Sequence, residues 1–392
     1  MLDSATSNNL TITNTTSKIN NHSNFRLSKN IDESIIEFTN KIIIQAINKY
    51  SSDIHIEPYK KNYRIRYRCD GILYEKISLT NAIAKRLITR LKVISNLNIN
   101  EYRTPQDGRL QLNNTNIRIN TIPTLLGEKI VLRILNNSQQ INIEQIGLTS
   151  KQLSIFINRI TKSSGMIIVT GPTSSGKTST VYSALKYLNN NTKNIYTIED
   201  PIEIEIDGVN QISIQPKINL NFEDLLKAIL RQDPDIIMLG EIRDNETAKT
   251  AFQISNTGHL VLTTLHTNSV AETVIRLLSL GLTKFQIINS ISLIISQRLI
   301  RKLCGKCKQI KHRIYHAEGC SNCIDGYSGR IGIFELLPFT EDIIKNIIIN
   351  SSTIAIKDIM KKNECNTLFD TAKEIIYEGL TTKDEINRVL TI

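Results

Sequence analysis

The chain has no tryptophan, and Phe and Tyr bring its aromatic content to only 5%. That scarcity argues against a nucleic-acid surface built on base stacking, which needs exposed rings along a basic groove. No run approaches the roughly eighteen consecutive apolar residues of a membrane-spanning helix, and the N-terminus lacks the basic-then-apolar order of a secretory signal. Both absences lead to the expectation of a soluble intracellular protein. There is no internal repeat. Cysteine is sparse, six residues in all, and four of them fall in one short stretch. That placement speaks against a disulfide framework and for metal in a reducing compartment.

What is present is a chain of 392 residues, 40% hydrophobic, with 48 Lys+Arg against 37 Asp+Glu, a formal net charge of +11. This is enough apolar material for real cores, and the length suggests two to three domains at about 150 residues each. The positive balance fits an anionic partner, whether nucleotide, nucleic acid or membrane surface, without choosing among them.

Residues 1–30, rich in Ser, Thr and Asn, are expected to be a disordered polar tail. From Ile31 a helical period runs through Ile35, Phe38, Ile42 and Ala46, widened by Ile36, Ile43 and Ile47. Tyr63, Ile65 and Tyr67 alternate with Arg64, Arg66 and Arg68, a strand with one apolar face and one row of guanidinium groups. Asp70-Gly71 predicts a tight turn into Ile72-Leu73-Tyr74. Residues 81–98 read as a helix, Asp107-Gly108 as another turn, and 129–135 as a strand. The region 31–137 is therefore expected to be a small α+β domain. From about 150, within a second domain expected over 138–392, the pattern changes to apolar strands alternating with helices: Met166–Thr170, a helix from Lys177, Ile195–Ile198, a helix from Phe222, Ile236–Leu239, a helix from Asn245, and Leu260–Leu265. That alternation predicts an α/β fold with a parallel sheet covered on both faces. The tail after 338 reads as helices.

Gly171-Pro172-Thr173-Ser174-Ser175-Gly176-Lys177-Thr178 fits the P-loop pattern, between an apolar strand and a helix. Glycines let backbone N–H groups converge on phosphate oxygens, and the helix directs its positive end to the same place. Lys177 adds a charge for the β- and γ-phosphates of ATP, and Thr178 a hydroxyl for Mg²⁺; Ser179 follows in the same turn. The strand Ile236–Leu239 runs into Gly240-Glu241, a Walker B arrangement with Glu241 in place of the usual Asp. Glu199 and Asp200 end another strand, where parallel sheets bind ligands. Taken alone, Glu241 reads more simply as a surface acid at a strand end. His259 and His266 bracket Leu260–Leu265; a neutral imidazole there can sense a γ-phosphate. Cys304-x2-Cys307 and Cys320-x2-Cys323, twelve residues apart, can supply four thiolates to a closed zinc site, with a redox pair as the alternative. His312 and His316 between them read as bystanders, and Cys69 and Cys365 as ordinary thiols.

At this point the sequence resembles the ATPases of type II secretion and type IV pilus assembly, members of the additional-strand P-loop class. The matching segments, covering about 31–390, are Ser52-Asp53-Ile54-His55-Ile56-Glu57-Pro58, Pro105-Gln106-Asp107-Gly108-Arg109, the P-loop, Thr197-Ile198-Glu199-Asp200-Pro201-Ile202-Glu203 (the Asp box), Arg231 to Asp235 and Gly240 to Asp244 (Walker B), Thr257 to Leu260 with Leu265 to Asn268 (the His box), the four cysteines, and Gly329 to Ile333. The resemblance implies a RecA-like ATPase domain with a metal subdomain at about 301–330, preceded by a PAS-like N-terminal domain of the family's N2 type. It implies a cytoplasmic homohexamer, held peripherally on the inner membrane by platform and assembly proteins and using ATP, Mg²⁺ and Zn²⁺. The basic residues that approach the phosphates map onto Arg118, Arg133 and Arg231; Lys227 stands where relatives often carry Arg. Glu199 or Glu241 would orient water, with Lys177 and His266 beside them. The tetracysteine site favours extension or secretion over retraction. Two departures are a missing counterpart, before Ile31, of the family's extra N-terminal domain, and a short loop between the cysteine pairs. The competing readings are a zinc-ribbon, nucleic-acid-dependent P-loop ATPase and a scaffold that binds nucleotide without hydrolysing it.

Overall fold

The structure, a computed structural model, describes residues 31–135, 142–214, 222–312 and 314–390, with side chains from Ser34 onward. The chain divides into two compact units, Met1–Ser138 and Gln139–Ile392. The polar tail expected over residues 1–30 lies outside the described residues.

The first unit runs α1 (Ile31–Asn48), β1 (Asp53–Tyr59), β2 (Asn62–Cys69), β3 (Ile72–Leu79), α2 (Asn81–Ile94), β4 (Gln106–Leu112), β5 (Thr115–Thr124) and β6 (Gly127–Leu135). Its six strands form an antiparallel sheet in the order β3-β2-β1-β6-β5-β4. Alternation does what the sequence predicts. Ile54, Ile56, Ile65, Tyr67, Ile117, Ile119, Ile130 and Leu132 are buried on one face, as are Ile42, Ile43 and Ala46 of α1 and Leu87 and Leu91 of α2. Tyr67 donates its hydroxyl proton to Ile42 O at 2.8 Å, which satisfies the one polar atom that a buried Tyr carries. The α1 stripe is narrower than its periodicity suggests, since Ile36 is 39% exposed. Helix α2 stops four residues short of the expected 98. Asn96 takes a left-handed φ of 56° and Leu97 N–H bonds back to Lys92 O at 2.9 Å, a Schellman-type stop.

Asp70-Gly71, both at positive φ (48° and 86°), close the β2–β3 hairpin as expected. Asp107-Gly108 is not a turn. Both lie inside β4, and a Cβ at Gly108 would meet Leu97 Cδ2 and Ser95 O at 2.8 Å. The glycine is there for close approach of the chain; the turn falls at Asn113-Asn114, both at positive φ. The opposite face carries charge in lateral register. Arg109 pairs Arg118, Arg118 pairs Arg133, and Asp53 lies between Arg133 and Arg68. The row of guanidiniums is not an open basic groove: Glu57 holds Arg64 (3.0 Å), Arg66 and Lys129 (3.2 Å), and Asp53 holds Arg133 (3.1 Å) and Arg68 (3.6 Å).

The second unit contains α3 (Ser150–Ile160), β7 (Gly165–Thr170), α4 (Lys177–Leu188), β8 (Ile195–Glu199), β9 (Asn210–Ser213), α5 (Phe222–Ile229), β10 (Ile236–Leu239), α6 (Asn245–Asn256), β11 (Leu260–Leu265), α7 (Val270–Ser279), α8 (Lys284–Ser290), β12 (Ile291–Leu303), β13 (Gln309–Lys311), β14 (Ile314–His316), β15 (Tyr327–Pro338), α9 (Glu341–Ile349), α10 (Thr353–Lys362), α11 (Leu368–Tyr377) and α12 (Lys383–Val389). Seven strands form one sheet, β15-β12-β7-β11-β10-β8-β9, parallel except for β15. Strand β11 sits between the P-loop strand β7 and the acid-bearing strand β10, which is the additional-strand arrangement. Helices cover both faces: α5–α7, α9 and α10 build one core around Leu226, Phe252 and Val274, and α3 and α4 the other around Phe156, Val181 and Leu185. A third cluster joins α11 and α12 to Ile300 and Ile333. The sequence reading leaves 291–303 unassigned. It is a thirteen-residue strand beside β7, buried along most of its length, and the cysteine-rich insert hangs between it and β15. No described helix is long and apolar enough to cross a membrane.

Candidate nucleotide site and tetracysteine cluster

The loop 171–176 leaves the end of β7 and enters α4 at Lys177. Gly176 caps the helix at φ 91°, and a Cβ there would meet Gln297 Nε2 at 2.8 Å, so glycine is required on two counts. Ser175 Oγ is buried with no hydrogen-bond partner among the described residues, a donor of the kind a phosphate oxygen would satisfy. Lys177 folds back over the loop: its Nζ donates to Gly171 O at 2.9 Å and Pro172 O at 3.1 Å. Burial pushes its ammonium pKa down to about 8, with Arg298 adding to the effect and Glu241 opposing it.

His266 Nδ1 stands 3.4 Å from Lys177 Nζ, and its Nε2 3.0 Å from Glu241 Oε2. With a neutral ring, Nδ1 accepts from the ammonium and Nε2–H donates to the carboxylate. Glu241 is also held by Arg243, whose Nη1 reaches Asp200 Oδ2 at 3.3 Å. A continuous polar chain therefore runs Asp200–Arg243–Glu241–His266–Lys177 across the carboxyl ends of β8, β10, β11 and β7. Thr170, the last residue of β7, ties the same end to the His box: its Oγ1 lies 2.7 Å from Thr267 Oγ1 and accepts from Thr267 N–H at 3.0 Å. Thr178 lies in the first turn of α4, half-buried.

The other expected residues separate. Glu199 is 3% exposed and accepts from Tyr182 Oη, from Thr197 Oγ1 at 2.6 Å and from Gln211 Nε2 at 3.1 Å. It is a fully engaged internal carboxylate, and its neighbour Tyr182 has its pKa raised by burial and then by that charge. His259 sits at the other end of β11 from His266, with Nδ1 3.2 Å from Ile254 O at the end of α6. Arg231 is exposed on the short turn Leu230–Gln232. Lys227 pairs with Glu223 four residues before it on α5. Arg118 and Arg133 are cross-strand neighbours on the first unit. Sequence reasoning missed Tyr182, Gln211, Gln297 and Arg298. The last two had a signal: Ser296-Gln297-Arg298 interrupt an otherwise apolar, strand-like run.

The four Sγ atoms of Cys304, Cys307, Cys320 and Cys323 lie within 4.8 Å of one another, with separations of 3.8, 3.6 and 3.6 Å for 304–320, 307–323 and 320–323. Zn–S bonds of about 2.3 Å in a tetrahedron require S···S near ~3.8 Å. The donor set therefore fits zinc, and it is made of cysteines alone; His312 and His316 are not in it.

The family model described as "Type II/IV secretion system protein" matches residues 28–388. The chain belongs to the type II/IV secretion system protein family. Among its curated relatives are the type IV pilus assembly ATPase PilB of Acinetobacter baylyi, 42% identical over 91% of this chain and 66% of that one, and the HofB homolog of Escherichia coli, described as a protein transport protein, 41% identical over 90% and 81%. The type II secretion system protein E of Pseudomonas aeruginosa is 38% identical over 91% and 76%. The chain spans about two thirds of the length of the pilus relatives it matches. Among solved structures, the pilus retraction motor PilT with bound ADP superposes with a TM-score of 0.62 at 27% identity, over 88% of this chain and 95% of that one. The Legionella pneumophila ATPase DotB shares the fold, with a TM-score of 0.68 at 23% identity over 90% and 95%.

Proposed function

We propose that this family member is a hexameric ATPase that drives assembly of a type IV pilus or a type II secretion pseudopilus. The observation that carries the reading is the polar chain from Asp200 to Lys177, laid across a P-loop on an additional-strand sheet. In this reading the loop N–H groups and Lys177 take the β- and γ-phosphates, Lys177 exchanging its two carbonyl acceptors for phosphate oxygens. Thr178 and Glu241 would hold Mg²⁺, which supplies neutralising charge at the phosphates. His266, hydrogen-bonded to both Lys177 and Glu241, reports the γ-phosphate to the strand beside it. Arg231, exposed on the turn after α5, would add positive charge to the bound nucleotide.

In this reading Glu241 is given to Mg²⁺ and Asp200 stays with Arg243 in the polar chain, so the water-orienting acid is sought among the other carboxylates of the Asp box. Of these, Glu199 has three donors. Glu203, exposed on the loop after β8, is the Asp-box acid left for the role, and Glu199 becomes the fixed post of that strand end. Cys304, Cys307, Cys320 and Cys323 would hold Zn²⁺ as a closed structural site. Association with the inner membrane would be peripheral, through platform and assembly proteins that convert hydrolysis into motion.

Lys177→Ala in the purified chain is expected to abolish ATP turnover without unfolding it; unchanged turnover would overturn the assignment. In the native cell the same variant separates the two pathways. Loss of surface filaments marks pilus extension, and exported proteins trapped inside mark secretion.

A further inference from the structure

Strand β12 pairs with the P-loop strand β7 up to Ser296, opposite Thr170. The next two residues project just past that pairing, under the loop, and side chains of successive strand residues leave opposite faces of a sheet. Gln297, 2% exposed, accepts through Oε1 from Thr180 Oγ1 of α4 at 2.7 Å. Arg298, 9% exposed, turns to the other face. Its Nη2 donates to Asn268 O at 2.9 Å and lies 3.4 Å from Asn268 Oδ1, and its Nη1 donates to Gln297 O at 3.0 Å. Ser296 Oγ donates to the same Asn268 carbonyl at 3.3 Å. Asn268 stands two residues after His266.

A buried guanidinium is costly unless its donors are used. Here they are spent on main-chain and amide oxygens, not on a paired carboxylate; Glu335 and Glu272 act on it only through their charge, and burial holds its pKa below the usual arginine value. An apolar residue would fill the space at lower cost, so packing alone does not account for the arginine. What the arginine adds is a planar fork with fixed geometry, gripping the loop that sets where His266 stands relative to Lys177 and Glu241.

We infer that Arg298 is a positioning residue for ATP hydrolysis, which with Gln297 makes β12 a clamp fixing the P-loop helix and the His-box loop in mutual register. The inference deepens the ATPase reading above and rests on it for its kinetic arm. A displaced near-attack geometry lowers kcat more than it lowers ground-state binding.

The test uses the full-length chain with Arg298→Lys, which keeps a cation but loses the fork, and with Ser296→Ala, a minimal change that removes one donor to Asn268. Amide hydrogen exchange is followed peptide by peptide alongside steady-state kinetics and thermal melting. The expected result for Arg298→Lys is exchange faster by about tenfold or more over the segment 266–270 while β10 stays protected, and kcat down by about tenfold or more with KM within about threefold. Ser296→Ala is expected to show the same local exchange change at smaller size. Exchange unchanged in 266–270 in both variants overturns the inference. So does exchange faster throughout the chain, with a lowered melting temperature, in both: that outcome makes Arg298 a structural residue only. Wild-type chain without any ATP turnover would sink the functional reading instead, and the exchange arm would still decide whether Arg298 holds the His-box loop.

Discussion

Both units concentrate basic and acidic side chains, but at different places on their sheets. In the first unit the charges lie mid-strand, where two acids face cations across the ladder: Asp53 between Arg68 and Arg133, Glu57 against Arg64, Arg66 and Lys129. In the second unit the central parallel strands β7, β10 and β11 carry no charged residue, and the charges of the nucleotide site stand beyond the strand ends, as Asp200–Arg243–Glu241–His266–Lys177; β12 and β15, at one edge, hold buried charges such as Arg298, Arg301 and Glu335. The difference separates two uses of the same residues. A mid-strand ion pair is pinned by the backbone ladder and can only contribute stability. A charge on a strand-end loop can exchange its partner for a ligand without breaking a ladder hydrogen bond. Glu199 is the boundary case, the last residue of β8, internal and fully bonded.

Beyond the loss of turnover expected for Lys177→Ala, the largest effect is expected at that boundary. Glu203→Gln should lower kcat by about 10²–10³-fold, as loss of a group that acts on the attacking water does, with the melting temperature unchanged. Glu199→Gln should do the reverse: the folded fraction keeps turnover, while a strained internal hydrogen-bond set costs about 1–3 kcal/mol of stability. Parallel kinetics and denaturant unfolding of the two variants check this. Equal kinetic losses would erase the distinction between the two acids.

A second test asks whether Lys177 is ready to trade partners. Its apo pKa, lowered by burial to about 8, must rise when phosphate anions arrive, so nucleotide binding takes up a proton above pH ~8. Affinity should be flat below that pH and weaken by up to about tenfold per pH unit above it, the limit for one linked proton. Calorimetry at pH 8.5 in buffers of different ionisation enthalpy would count the proton. Absence of uptake in wild type would mean that the ammonium is already charged and paired at that pH.

How much of this was legible beforehand follows the same division. In the second unit the strands β7, β8, β10 and β11 and the starts of α4, α5 and α6 stand where the apolar runs and the P-loop placed them, because a parallel strand buried on both faces writes itself as an unbroken apolar word. Strand β12 escaped that rule. Its Ser296-Gln297-Arg298 are polar because two loops need them, and their partners, Thr180 and Asn268, are 117 and 30 residues away in sequence. In the first unit alternation showed the faces, but Asp107-Gly108 imitated a turn. Whether a glycine serves a positive φ or a close approach depends on what packs against it, here Leu97 and Ser95. The commitments of Glu199 were hidden for the same reason: Tyr182 and Gln211 reach it from another helix and another strand.

The smallest effect expected is in the mid-strand lattice, and it sharpens the contrast because it should touch stability alone. Burial would raise the Glu57 pKa, but hydrogen bonds from Arg66 and Lys129 with their charges outweigh it and hold the carboxyl below its ordinary value. A carboxyl whose folded pKa is depressed adds stability that is present above its unfolded value and lost as pH falls through the folded one. Glu57→Gln should therefore cost about 1 kcal/mol near neutral pH, less at high salt, and nothing once the pH is below the folded-state value. The guanidiniums around it are about a quarter exposed, so water already screens much of the pairing. Urea unfolding of wild type and variant from pH 7 down to pH 3 reads the two curves. They should converge in acid. Curves that stay parallel would mean that Glu57 acts by packing and that its charge is immaterial.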